Sequence, residues 1–236
     1  MLGARLVMNR SRRDEAEKPF WISFADMMTA LMVLFLVVMS VALLAVTKKV
    51  SEQERAETEH RQDIAEIMRR FEQAADRYEG IRIDLSRAVI DFGDRARFAF
   101  GKWNLSPEQE SVLRQFVPDI LTLANDELGR RVMKRIVVEG YTDRTGSYLS
   151  NLNLSLLRSQ RVLCAMFARS GAHLLTEDQK ADVRNLFLVG GYSFNASRES
   201  AEESRRVEMR IEFLGIGERR ADSVPLSNDF GECALR

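Results

Sequence analysis

Apolar positions along the chain fall into three regimes. Residues 20–46, FWISFADMMTALMVLFLVVMSVALLAV, are almost continuously apolar. As a helix they would rise about 40 Å, enough to cross a hydrocarbon core about 30 Å thick with some tilt. Residues 47–80 are charged and proline-free, with Ile64, Met68, Phe71, Ala75 and Tyr78 at alternating spacings of four and three. That is a single apolar seam on a helix, and it suits two arrangements equally: pairing with a second helix, or packing against the chain's own domain. From residue 81 onward, short strand-like runs alternate with longer helical ones.

This third regime predicts a mixed sheet with helices on one face, an α/β domain. IRIDLSRAVIDFGDRARFAF is strand-like. The next helix begins in NLSPEQESVLRQFVPDILTLAN, with Ser106 as N-cap, Pro107 at the first helical position and Gln109 closing a capping box. VMKRIVVEGYTD reads as a strand ending in a turn, 149–169 as an amphipathic helix and NLFLVGGYS as another strand. The polar loop FNASRESAEES then leads to a last strand, RRVEMRIEF. The organisation expected is a tail (1–18), a membrane helix (19–46), a helical stalk or linker (47–80), the α/β domain (81–215) and a loose C-terminal tail (216–236). There are no internal repeats.

Charge and cysteine content narrow the function classes. Thirty-five basic residues balance 35 acidic ones, which argues against a general nucleic-acid binder. The apolar segment exceeds the core of a cleaved signal peptide and lacks a small-residue cleavage pattern, so a retained single-pass anchor in lipid is expected. Arg5, Arg10, Arg12, Arg13 and Lys18 favour a cytoplasmic N-terminus, against Lys48 and Lys49 on the far side. Cys164 and Cys233 are too few for a disulfide framework or metal cluster. In an oxidising compartment they could pair; alternatively Cys164, in RVLCAMF, is a free core thiol. No phosphate loop, Ser-His-Asp set or metal-ligand spacing marks an enzyme, and His60 and His173 stand alone in structural or surface settings.

The apolar segment contains an acid, Asp26. A carboxylate at the centre of a spanning helix is unfavourable by about 2.5–3.5 kcal/mol, so such a residue usually faces protein or water and has a task. At about 100° per residue, Ser23, Thr29, Ser40 and Thr47 all lie within roughly 60° of Asp26 on the helical wheel. The stripe suits helix–helix adhesion with a neutral Asp26, or an ion relay. Adhesion needs no ionisable group, which favours the relay.

The run WISFADMMTALM closely resembles the membrane helix of flagellar motor B subunits and, more distantly, of ExbD and TolR. The resemblance implies that Asp26 carries the coupling ion, supported by Ser23 and Thr29. It also implies a dimer inside a MotA-like ring of A subunits, expected to be pentameric. A proton is expected rather than sodium, because no oxygen cage for a metal ion is visible in the chain; no other cofactor is expected.

A second informative stretch is EGYTDRTGSYLSNLNLSLLRSQRV, residues 139–162. Asp143 follows a strand, Thr142 lies beside it, Gly146 allows a turn, and Arg158 lies one or two turns into the next helix. Asp143 and Arg158 could grip a small zwitterion, or simply pair with each other. GYTDxxG with Asn151, Leu154-Ser155 and Arg158 resembles the OmpA-like peptidoglycan-binding signature, over roughly 90–214. That implies that Asp143 and Arg158 hold the diaminopimelate of the wall peptide while Asn151 and Leu154 shape the pocket. SRRVEMRIEF resembles that family's closing NRRVE strand, with Ser204 where Asn is usual and Ser150 where an aromatic residue is common.

An ion-carrying helix joined to a wall grip is the logic of a stator. Only about 45 residues separate the helix from the first core strand, shorter than in flagellar B subunits, and the N-terminal segment resembles most closely the B subunits of Zorya anti-phage systems (ZorB), which pair with ZorA. The expected localisation is the bacterial inner membrane, with the C-terminal domain periplasmic. A flagellar-type stator and a wall tether without ion movement are the alternatives.

Overall fold

The computed structural model describes residues 14–221, 229–233 and 235. The chain divides into two compact units, Met1–Ala56 and Glu57–Arg236. A single helix, α1 (Asp14–Ala75), contributes to both. In the first unit, residues 21–55 of this helix are solvent-facing throughout, and by length and composition the helix can cross a membrane. The expected tail at 1–18 lies largely outside the described residues.

The second unit is built on a five-stranded sheet in the order β1-β2-β5-β3-β4. The strands are β1 (Arg82–Asp84), β2 (Val89–Asp91), β3 (Met133–Gly140), β4 (Phe187–Gly191) and β5 (Val207–Phe213). β3 and β4 are parallel; the β1–β2, β2–β5 and β3–β5 pairs are antiparallel. The mixed sheet is the one expected. The strand-like stretch after residue 81 proves to be a β1–β2 hairpin followed by a 3-10 turn, Gly93–Ala96.

Alternation decides which sheet face is covered. Ile136 and Val138 on β3, with Val207, Met209 and Ile211 on β5, enter the core. α2 (Pro107–Asn125) and α4 (Tyr148–Met166) cover that face, with the shorter α3 (Glu127–Val132) and α5 (Glu177–Leu186) beside them. The opposite residues form a charged ladder. Arg210 Nε donates to Glu139 at 2.7 Å, and Arg206 Nε to Glu208 at 2.8 Å. Both carboxylates are buried, so these charge-assisted bonds replace hydration that the acids have lost.

α2 starts as expected: Ser106 Oγ accepts from the Gln109 amide at 3.2 Å, and the Gln109 side chain accepts from the Ser106 amide at 2.8 Å. α5 was not expected. Thr176 and Gln179 form the same capping box there. A one-turn helix, α6 (Ala201–Ser204), interrupts the loop before β5.

Two segments flanking the α/β domain pack onto it. The seam of the 47–80 segment faces its own domain: Met68, Phe71 and Ala75 are buried in the common core, joined by Ile67 and Ala74, with Ile64 and Tyr78 partly buried against it. Each large apolar side chain so buried stabilises the docked helix by about 1.5–3 kcal/mol. Tyr78 meets Phe116 edge-to-face at 5.1 Å. Polar bonds flank this seam, including His60 Nε2 to the Leu214 carbonyl at 3.0 Å and Arg70 to Asp126 at 3.0 Å. The second compact unit accordingly begins at Glu57. The C-terminal tail is also anchored. Cys233 is disulfide-bonded to Cys164 on α4, Phe230 packs on Phe167 at 5.1 Å, and Arg220 donates to the Met133 carbonyl at 2.9 Å.

Candidate functional site

In the first unit, α1 carries Asp26 and the hydroxyl stripe. Thr29 donates to the Ala25 carbonyl, Ser40 to that of Leu36 at 2.7 Å and Thr47 to that of Leu43 at 2.8 Å. These hydroxyls bond back onto their own helix, as is usual for Ser and Thr four residues along. Neither Ser23 nor Thr29 is bonded to Asp26.

In the second unit, Thr142, Asp143, Asn151, Leu154 and Arg158 line one cavity of about 140 Å3, together with Phe100 and Arg205. Glycine places them. Gly140, at the end of β3, and Gly191, at the end of β4, let both strands approach the backbone of α4 around Ser155. Ser155 Oγ is fully buried, donates to the Leu152 carbonyl at 2.8 Å and accepts the Ser193 amide at 3.0 Å. The Ser193 carbonyl in turn accepts the Thr142 amide at 2.9 Å. One turn beyond Ser155, Arg158 therefore projects beneath the end of β3.

Arg158 is completely buried and does not pair with Asp143. Its guanidinium donates to three carbonyls instead: Tyr141 at 2.6 Å, Lys102 at 2.9 Å and Ala99 at 3.4 Å. It also lies over the Phe98 ring, 5.0 Å from the centroid. Burial lowers its pKa to about 10, partly countered by Asp143 and reinforced by Arg205, so it stays cationic at neutral pH. Three of the five N–H groups of an arginine are thus occupied.

The partner of Asp143 is Arg205, whose Nη1 donates to Oδ2 at 3.1 Å. Oδ1 accepts the Thr145 amide at 2.9 Å. Burial works upward on this carboxyl, but the Thr145 amide and the Arg205 guanidinium outweigh it, holding the pKa below the usual value. The Thr142 hydroxyl is buried without a hydrogen-bond partner. A buried, unpaired hydroxyl in a cavity wall is a group that a ligand can satisfy.

Asn151 has a scaffolding part: its Nδ2 donates to the Thr145 carbonyl at 2.9 Å, closing the loop that holds Gly146 at φ +99°. Ser204, in the closing SRRVE run, is buried. Its Oγ donates to the Ser200 carbonyl at 2.9 Å and accepts the Arg198 amide at 2.8 Å. Arg205 is the site residue that sequence reasoning missed. The signal lay in the paired arginines of the SRRVE run, of which Arg205 caps the one-turn helix α6. Arg205 turns to the cavity while Arg206 lies over the Tyr141 ring, 4.4 Å from its centroid.

Residues 8–60 match the family model described as membrane MotB of the proton-channel complex MotA/MotB. Among solved structures, the periplasmic domain of Helicobacter pylori MotB shares 16% identity, with 54% of this chain and 81% of that chain covered and a TM-score of 0.36. The peptidoglycan-associated lipoprotein of Burkholderia pseudomallei shares 14%, covering 55% and 92%, with a TM-score of 0.33. The Zorya protein ZorB of Escherichia coli O139:H28 (strain E24377A / ETEC) is 44% identical over 229 residues, which span 95% of this chain and 93% of that protein. Identity of that extent, across helix and domain alike, places the chain in the ZorB family.

Proposed function

We propose that this protein is the wall-anchored B subunit of a Zorya-type, ion-driven membrane motor acting in anti-phage defence. One observation carries the reading. A single chain combines a carboxylate on a membrane-length helix, Asp26, with a second unit whose cavity gathers Asp143, Arg158 and an unpaired Thr142 hydroxyl. An ion channel alone needs no such cavity, and a wall tether needs no membrane acid.

In this mechanism Asp26 takes up and releases a proton between two copies of the chain and a surrounding ring of five ZorA-type subunits. A unit charge crossing the membrane releases about 2.3 kcal/mol per 100 mV. The cavity grips peptidoglycan, so the work of ion flow turns the ring and not the B dimer. The N-terminus is cytoplasmic and the second unit lies on the wall side. The Cys164–Cys233 disulfide supports that orientation, since such bonds persist in oxidising compartments.

Asp26→Asn keeps the shape of the side chain and removes its titrating group. Loss of phage protection at unchanged protein level is the expected result; full protection would leave only the tether reading. For the wall grip, the detergent-solubilised chain is expected to be retained on isolated sacculi, and the doubly substituted Asp143→Ala, Arg158→Ala chain to wash through.

A further inference from the structure

We infer that the second unit docks on anionic lipid headgroups of the bilayer that holds α1, through Arg130, Arg219 and Ile216 at the end where its chain enters. The inference makes no use of the cavity, which lies at the other end of β3, and it stands whether or not that cavity grips the wall. It rests only on α1 spanning a membrane.

The start of β3 and the end of β5 lie side by side, Met133 opposite Phe213. Beyond β5 the chain turns, with the Glu218 amide donating to the Gly215 carbonyl at 2.9 Å and Gly217 at φ +77°. Arg220 then holds the segment down, donating to the carbonyls of Met133 at 2.9 Å and Gly129 at 3.0 Å. That brings Arg219 and Arg220 to the last turn of α3, which carries Arg130 and Arg131. Arg131 pairs with Asp63, and Lys134 with Glu218. Arg130, Arg219 and Arg220 have no ion pair among the described residues. Burial first, and then the charge of Arg130, hold the pKa of Arg220 below the usual guanidinium value, against a weaker pull from Asp182. Neighbouring cations here repel one another without a carboxylate between them.

An aliphatic side chain shares the patch. Ile216, at the tip of the turn, is 55% exposed, and Arg130 and Arg219 are exposed with it. A headgroup layer offers phosphates to the guanidinium groups and an apolar boundary to the isoleucine. An acidic protein surface matches the cations alone. Chain length favours the bilayer too. The unit receives α1 at this end, through His60 on the Leu214 carbonyl and Asp63 on Arg131. From Val46 to His60 the helix rises only about 21 Å, and the headgroup layer takes up about 5–7 Å of that. The tilt required of an apolar segment longer than the hydrocarbon core closes the remainder.

The experiment follows hydrogen exchange of residues 215–221 by mass spectrometry, on the full chain in lipid nanodiscs. One disc is wholly phosphatidylcholine; in the other about a third of the lipid is phosphatidylglycerol. Exchange is expected to be at least about threefold slower in the anionic disc. Raising the salt to about 0.5 M should abolish the difference, because screening then acts within a few ångströms. Arg130→Gln with Arg219→Gln should abolish it as well, and Ile216→Ser should reduce it. Equal exchange in the two discs would overturn the inference. So would a slowing that survives both salt and the double substitution. Slowing seen only when an A subunit is co-purified would assign the patch to an acidic protein surface and overturn the lipid assignment. Should the double variant not fold, the lipid and salt comparisons on the wild-type chain decide.

Discussion

A β-carbon at Gly140 would lie 1.9 Å from the carbonyl oxygen of Ser155. The end of β3 and the first half of α4 therefore meet backbone to backbone, with no side chain between them. That contact sets the height at which Arg158 reaches the Tyr141 carbonyl, and so the position of the whole cavity wall.

Gly140→Ala should act on stability and binding together. The added methyl group has no rotamer to escape through, so α4 must move, at about 1–3 kcal/mol for an overpacked site. Urea unfolding of the solubilised chain should show a lower midpoint. The same preparation should lose wall-peptide affinity because Arg158 is carried away with the helix.

Glu208 gives the pH dependence its sign. Burial works against its charge, but Arg206, Arg198 and Arg87 outweigh it and hold its pKa below the ordinary 4.5. A carboxyl with a lowered folded pKa contributes stability above its unfolded value and loses it as pH falls through the folded one. The urea midpoint should therefore be flat near neutrality and decline below about pH 4.5, with Asp143 acting in the same direction. Glu208→Gln should be about 3 kcal/mol less stable at neutral pH, because it leaves the buried Arg206 guanidinium without its carboxylate. Its midpoint should depend less steeply on acid.

The Cys164–Cys233 bond closes a separation of 69 residues. A loop of that size restricts the unfolded chain, so Cys233→Ser should lower stability by about 2–4 kcal/mol. The bond lies on the part of α4 beyond Arg158, so wall-peptide affinity should be unchanged. Chain extracted from cells in the presence of a thiol-alkylating reagent should remain unlabelled until reduced.

Legibility in the sequence followed how local each signal was. Ser106 and Gln109 are three residues apart, and the capping box they announce is there. GYTD and Arg158 are close enough for a strand–loop–helix reading to bring them together, and all five expected pocket residues line one cavity. The pairing of Asp143 was not legible, because Arg205 lies 62 residues away and arrives through the sheet order. α5 was overlooked because TEDQKADVRNL buries only Lys180, Val183 and Leu186. Its Thr176–Gln179 box was the available clue. The seam at 64–78 had a correct period, but a period does not say what faces it; Phe71 turned inward.

The docked end of α1 bears on how force enters the second unit. A pull applied at Glu57 is not taken up by a slack tether. It must first shear Ile67 and Phe71 out of a hydrophobic core while parting Arg131 from Asp63 and Arg77 from Asp119 along the same seam. Helix and domain resist such a tug as one stiff body, and any give in the tether must come from residues ahead of that joint.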